Sequence, residues 1–102
     1  MSKYPPTGES WIFDIGPAQI LHQYNCDKSM HYQILSGEFA GLEETVAIEV
    51  IKAGGGYLVS WQEANKTTVV HWEDFGQGVF KSFVTLPDLN FVHFTGKMWR
   101  EA

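Results

Sequence analysis

Glu63, His71 and Glu73 stand among apolar side chains in the stretch Tyr57-Leu58-Val59-Ser60-Trp61-Gln62-Glu63, Ala64-Asn65-Lys66, Thr67-Thr68-Val69-Val70-His71-Trp72-Glu73. If Ala64-Asn65-Lys66 is a three-residue hairpin connection, Glu63 pairs with Thr67, Trp61 with Val69, Val59 with His71 and Tyr57 with Glu73, all on one face. A two-residue turn at Asn65-Lys66 slips the register by one, setting Glu63 opposite Thr68 and turning His71 to the Ser60 side. In the first register Trp61, Val59 and Val69 point that face inward, and Glu63, His71 and Glu73 become polar handles in an apolar cavity. A carboxylate beside an imidazole can fix its tautomer and set a proton donor next to an acceptor. Burial favours the neutral form of Glu63 and suits it to acid or base work. Glu63 and His71 are therefore the catalytic candidates, and Tyr57, Val59, Trp61, Glu63, Val69, His71 and Glu73 the ligand-binding ones. The plainer alternative makes Glu63 an exposed strand end, His71 a locally satisfied imidazole and Trp61 a core anchor.

Elsewhere, His22 and Tyr24 share a strand face and join the ligand-binding candidates, whereas His31 and Tyr32 are adjacent and point to opposite faces. His93 lies on the parity of Phe91 and Thr95. The four histidines are scattered without the local spacing of a closed zinc motif, so no metal is expected. The single cysteine, Cys26, lies in a polar turn and reads as a spectator thiol. The glycine turns lack the strand-to-helix setting of a phosphate loop, and no cofactor is expected.

These residues need strands to position them. Trp11 to Ile15, Gln19 to Asn25, Met30 to Leu35, Thr45 to Ile51, Tyr57 to Glu63, Thr67 to Asp74, Val79 to Thr85 and Phe91 to Trp99 alternate apolar and polar side chains or concentrate β-branched and aromatic ones. Gly16-Pro17, Ser36-Gly37, Gly54-Gly55-Gly56, Gly76 and Gly78, and Pro87-Asp88 punctuate them. Glu38 to Glu44 is either a short bent strand or a wide turn. The pattern predicts an all-β fold, an up-and-down antiparallel barrel of about eight strands, with a sandwich as the alternative. Residues 1–10 form an N-terminal arm or strap and residues 11–102 a single barrel domain.

The 102 residues suit one core, and 44% hydrophobic and 15% aromatic content supports its burial. Seven basic against twelve acidic residues give a net charge of −5, with Arg100 the sole arginine. That balance argues against nucleic acid and anionic lipid as partners. There is no apolar run of the roughly 18 residues a membrane helix needs, and Met1 to Ser10 lacks the apolar core of a signal peptide. With a single cysteine, a reducing cytoplasm is expected. Limited core area, with Trp72 or Trp99 outside, predicts a homodimer.

Gly37-Glu38-Phe39-Ala40-Gly41, Ser60-Trp61-Gln62-Glu63, Thr68-Val69-Val70-His71, Glu73-Asp74 and Thr85-Leu86-Pro87-Asp88 with Phe91 resemble, in order and over most of the chain, the MoaF-like family. The resemblance implies a calycin- or lipocalin-like barrel. A more distant resemblance, through Gly37 to Gly41 and Ser60 to Glu63, is to the phenolic acid decarboxylases, cofactor-independent barrels acting on hydroxycinnamic acids. It places Glu63 at their catalytic glutamate. Leu42 stands where their substrate-handling arginine is expected, and Ala64-Asn65-Lys66 replaces their Pro-Thr-Gly connection. Two functional classes follow: a barrel binding a small organic molecule, and a cofactor-independent lyase or isomerase using Glu63 with His71. A structural homodimer without catalysis is the third.

Overall fold

The computed structural model describes residues 4–101. Its elements are all strands: β1 (Ser10–Asp14), β2 (Gln19–Cys26), β3 (Ser29–Ile34), β4 (Glu43–Ala47), β5 (Glu49–Ala53), β6 (Gly56–Gln62), β7 (Thr68–Asp74), β8 (Val79–Thr85) and β9 (Phe91–Arg100). No helix of the described residues is long and apolar enough to cross a membrane.

All pairings are antiparallel, in the order β4-β3-β2-β1-β9-β8-β7-β6-β5. The two ends of that order, β4 and β5, are consecutive in sequence and separated only by Ile48. A sheet whose first and last strands are joined by one residue must curl until its edges meet, so the nine strands form a nearly closed barrel. The chain changes partner at this corner, β4 pairing with β3 and β5 with β6. The sequence pattern predicts one strand over Thr45 to Ile51, and here the structure differs. Alternation continues through the break, since Val46 and Ile48 are both buried, and a change of hydrogen-bonding partner leaves no mark on an alternating pattern. The Glu38 to Glu44 stretch resolves into a turn, Gly41 N–H donating to Ile34 O at 2.8 Å, before β4 begins at Glu43.

The β6–β7 hairpin has the three-residue connection. Tyr57 pairs with Glu73, Val59 with His71 and Trp61 with Val69, and Glu63 N–H donates to Thr67 O at 2.8 Å. Lys66 takes φ 78° to close the loop, the left-handed residue that three-residue hairpins use. One face of every stave then points inward, where Phe13, Tyr24, Met30, Val59, Phe80 and Met98 are almost wholly buried.

At two places the wall leaves no room for a side chain. A Cβ on Gly56 would lie 2.7 Å from Trp72 Cε2, and the Trp72 indole lies over that glycine while its Nε1 donates to Ala53 O at 3.2 Å. Trp72 is thus partly spent within the chain, whereas Trp99 stays 41% exposed. On β9 a Cβ at Gly96 would overlap the Asp14 carbonyl and meet the Phe80 ring at 3.1 Å. Gly96→Ala is accordingly expected to lower stability by about 2 kcal/mol by forcing β9 from β1, read as a shifted urea midpoint. An unchanged midpoint would show that the β1–β9 seam can yield.

Candidate functional site

The barrel interior has a closed half and an open half. The closed half is filled by the strap before β1. Tyr4 meets the rings of Tyr24, Tyr57 and Phe75 edge-on, with centroids 5.2, 5.4 and 5.7 Å away. Gly8 N–H donating to Tyr24 O at 2.7 Å, and Tyr24 N–H to Glu9 O at 3.0 Å, fasten the strap to β2.

Beneath these rings lies Glu73, at 0% exposure. Tyr4 donates to its Oε1 at 2.5 Å and Tyr24 bridges both oxygens at 3.1 and 3.2 Å, while His71 Nδ1 stands 3.0 Å from Oε2. Burial, reinforced by the Glu73 charge, pushes both tyrosine hydroxyls far above the ordinary phenol range, so they stay protonated and donate. That fixes the tautomers. Glu73 can only accept, hence His71 carries its proton on Nδ1. Tyr24 spends its proton on Glu73, hence His22 Nδ1, 3.2 Å from the Tyr24 oxygen, carries one too. Each ring keeps Nε2 outside this network. Burial, and secondarily the neighbouring His71, pushes the His22 imidazole well below its usual range and holds it neutral. Among the described residues no buried side-chain nitrogen or oxygen lacks a partner.

His22 and His71 are the boundary between the two halves. Their rings stack at a centroid distance of 5.6 Å, against Phe13 at 4.1 Å from His22 and Trp61 at 4.9 Å from His71. Above them opens a cavity of about 640 Å³ with Ile20, Ile34, Val69, Val84 and Phe94 among its apolar walls. Ser82, the cross-strand partner of His71, is a further polar group on its wall.

The mouth is set by the β6–β7 turn and the start of β4. Trp61 Nε1 donates to Glu63 Oε2 at 3.1 Å, and the Tyr32 hydroxyl donates to Glu44 Oε1 at 2.9 Å while lying within reach of Glu63. Glu44 Oε2 accepts Ala64 N–H at 2.8 Å, tying β4 to the turn after β6 where the barrel closes. Burial raises the Glu63 carboxyl above its usual range against the lowering effect of the Trp61 hydrogen bond, and the nearby Glu44 adds to the rise. Burial and the Glu63 charge likewise push the Tyr32 hydroxyl up.

Of the residues singled out from sequence, His22, Trp61, Glu63, Val69 and His71 line the cavity. Tyr24, Tyr57, Val59 and Glu73 share the inner face and stand outside the cavity wall, Tyr24 and Glu73 as the network behind the histidines. Sequence reasoning passed over Tyr32 and Glu44, although their parity with Met30 and Val46 places them inside, and over Ser82, two residues from Phe80. Nothing in the pattern marked Tyr4. The donor atoms of His22, His71 and Glu73 lie within 4.8 Å of one another and are the one set among the described residues able to surround a metal ion. A cation would have to displace the Tyr4, Tyr24 and His71 contacts that Glu73 now accepts. Sequence spacing hid this cluster because its members come from β2 and β7.

The MoaF-like family model matches residues 7–99. The chain belongs to the MoaF-like family. A crystal structure from Burkholderia vietnamiensis, described as a "putative beta-lactamase", superposes with a TM-score of 0.92 at 29% identity, covering 99% of this chain and 100% of that one. The sequence matches no curated protein. Within this MoaF-like barrel, Leu42 is an apolar side chain of the cavity lining.

Proposed function

We propose that this MoaF-like barrel binds a small, mainly apolar molecule that is uncharged or carries a cationic end. The observation that carries the reading is the open cavity of about 640 Å³, apolar along its walls and polar at both ends. A cavity of that size suits a small organic ligand. Its polar lining includes Glu43, Glu44 and Glu63, with no lysine or arginine among the lining residues. An anionic head group would meet carboxylates there, whereas an ammonium or a neutral hydrogen-bonding group would not be repelled. For the same reason the hydroxycinnamic acids suggested by the decarboxylase resemblance suit the cavity poorly. The hydrolysis named by the Burkholderia description finds Ser82 in register with His71, and no cationic group on the cavity wall to hold a lactam carboxylate.

The test displaces a neutral fluorophore, N-phenyl-1-naphthylamine, with decylamine and with decanoate. Decylamine is expected to compete at about tenfold lower concentration, as one favourable charge contact contributes about 1.4 kcal/mol. Glu63→Gln, which keeps size and hydrogen bonding and removes the ionisable group, is expected to narrow that gap. Equal displacement by both chains, or preference for decanoate, would refute the charge preference.

A further inference from the structure

The cavity holds two kinds of proton carrier, both against Trp61, whose ring is 4.9 Å from that of His71 and whose Nε1 is 3.1 Å from Glu63 Oε2. At its floor, Glu73 holds His71 Nδ1 at 3.0 Å, and Tyr4 and Tyr24 hold Glu73 in turn. The imidazole is locked in one tautomer with Nε2 left as an acceptor on the cavity side. Its charged form, once made, would face a buried carboxylate at no cost in reorganisation. At the mouth, Glu63 is a carboxyl in partly apolar surroundings, on the same cavity wall as His71. A base and an acid facing one apolar space are what a proton shift along a bound molecule requires.

We propose that the barrel is a cofactor-independent isomerase in which His71 Nε2 is the general base and Glu63 the general acid of a 1,3-proton shift on an uncharged, unsaturated carbonyl compound. Glu73, Tyr4 and Tyr24 are positioning residues, acting through His71. The step balances within the ligand and the two side chains. His71 Nε2 takes a proton from the carbon between the carbonyl and the double bond, and the released electron pair delocalises into the carbonyl as a dienolate. Glu63, protonated when an uncharged ligand covers it and ionised beside an ammonium, delivers its proton to the γ-carbon, the pair returns as a conjugated double bond, and a new C–H bond replaces the one broken. The imidazolium then returns its proton to the Glu63 carboxylate through solvent at the mouth. Substrate and product are isomers, so neither oxidant nor reductant enters. The inference rests on the binding reading above and goes beyond it in assigning a reaction.

The probe is allyl phenyl ketone, neutral and apolar, whose conjugated isomer is resolved by chromatography and acquires deuterium at its γ-carbon in deuterium oxide. Binding is measured separately, by displacement of N-phenyl-1-naphthylamine. Wild-type protein is expected to displace the fluorophore and to isomerise the ketone about 100-fold faster than free imidazole at equal concentration, with His71→Gln losing that factor and keeping its affinity. Tyr4→Phe supplies a readout that a merely structural role would not move. Freed of one donor, Glu73 accepts more strongly from His71 and stabilises its charged form, so the acidic limb of kcat/KM should move to higher pH with KM little changed. The groups facing His71 that set this limb are Glu73 on its own strand, His22 and Tyr24 on β2, Tyr4 on the strap and Glu63 at the mouth. If the ketone displaces nothing, the binding reading falls and the isomerase with it. Displacement without turnover, or turnover that survives His71→Gln, overturns the isomerase alone. Should His71→Gln fail to fold, a Tyr4→Phe profile superimposable on the wild type overturns it equally.

Discussion

Replacing Glu73 with alanine is expected to remove about 3–5 kcal/mol of stability, the cost of stranding three buried hydrogen-bond donors. The carboxylate is the sole acceptor for three groups, the Tyr4 and Tyr24 hydroxyls and His71 Nδ1, and water does not reach it. Its loss strands donors in an apolar interior and opens space under the strap. A domain of this size has a total stability of roughly 5–15 kcal/mol, so the variant should unfold at low urea or purify with weak near-ultraviolet circular dichroism. Tyr4→Phe, which removes one donor and leaves the acceptor served by two others, should cost about 2 kcal/mol. A Glu73→Ala midpoint near that of Tyr4→Phe would show that the network is not the clamp between strap and barrel.

The second large effect is on acid stability. His22 in the fold has its imidazole held well below 6.5, through burial first and the adjacent His71 second. Below pH 6.5 the unfolded chain binds a proton at this position and the fold does not. Unfolding is therefore favoured increasingly as pH falls from 6.5 toward the folded value, approaching about 1.4 kcal/mol per pH unit for this one group. Glu63 acts in the opposite sense. Its raised folded value relative to 4.5 contributes stability that is full below pH 4.5 and lost as pH rises through the folded value. The difference between wild type and His22→Gln isolates the histidine, and it should narrow or reverse on acidification. A constant difference between pH 7 and pH 5 in urea melts would mean that His22 takes up its proton inside the fold.

The fold was legible where alternation alone decides it. The strand from Tyr57 to Gln62 and the partner from Thr68 to Asp74 bury every second side chain, so one register satisfies both, and it places Trp61, Glu63, Val69 and His71 on the cavity side. The corner at Ile48 was not legible, because its buried side chain keeps the alternation going while the backbone exchanges β3 for β6. The site was legible in part. Glu63 and His71 follow from hairpin geometry, but the division of the interior into a network and a cavity depends on contacts distant in sequence. Tyr4 reaches Glu73 across 69 positions and Tyr24 across 49. A strap tyrosine followed by two prolines carries no periodic signal, and only the closed barrel brings it against Phe75.

Outside the barrel, Phe83 and Phe91 stack at a centroid distance of 6.3 Å and remain 41% and 60% exposed, so the outer face of β8 and β9 also offers apolar surface. The measurement that separates inside from outside is a titration of nitrogen-15-labelled protein with N-phenyl-1-naphthylamine, followed by amide shifts. A ligand held in the cavity predicts the largest shifts at Ile20, Trp61, Val69 and Val84, with Phe83, Phe91 and His93 little changed. Shifts concentrated at Phe83, Phe91 and His93, with the inner residues still, would contradict the account.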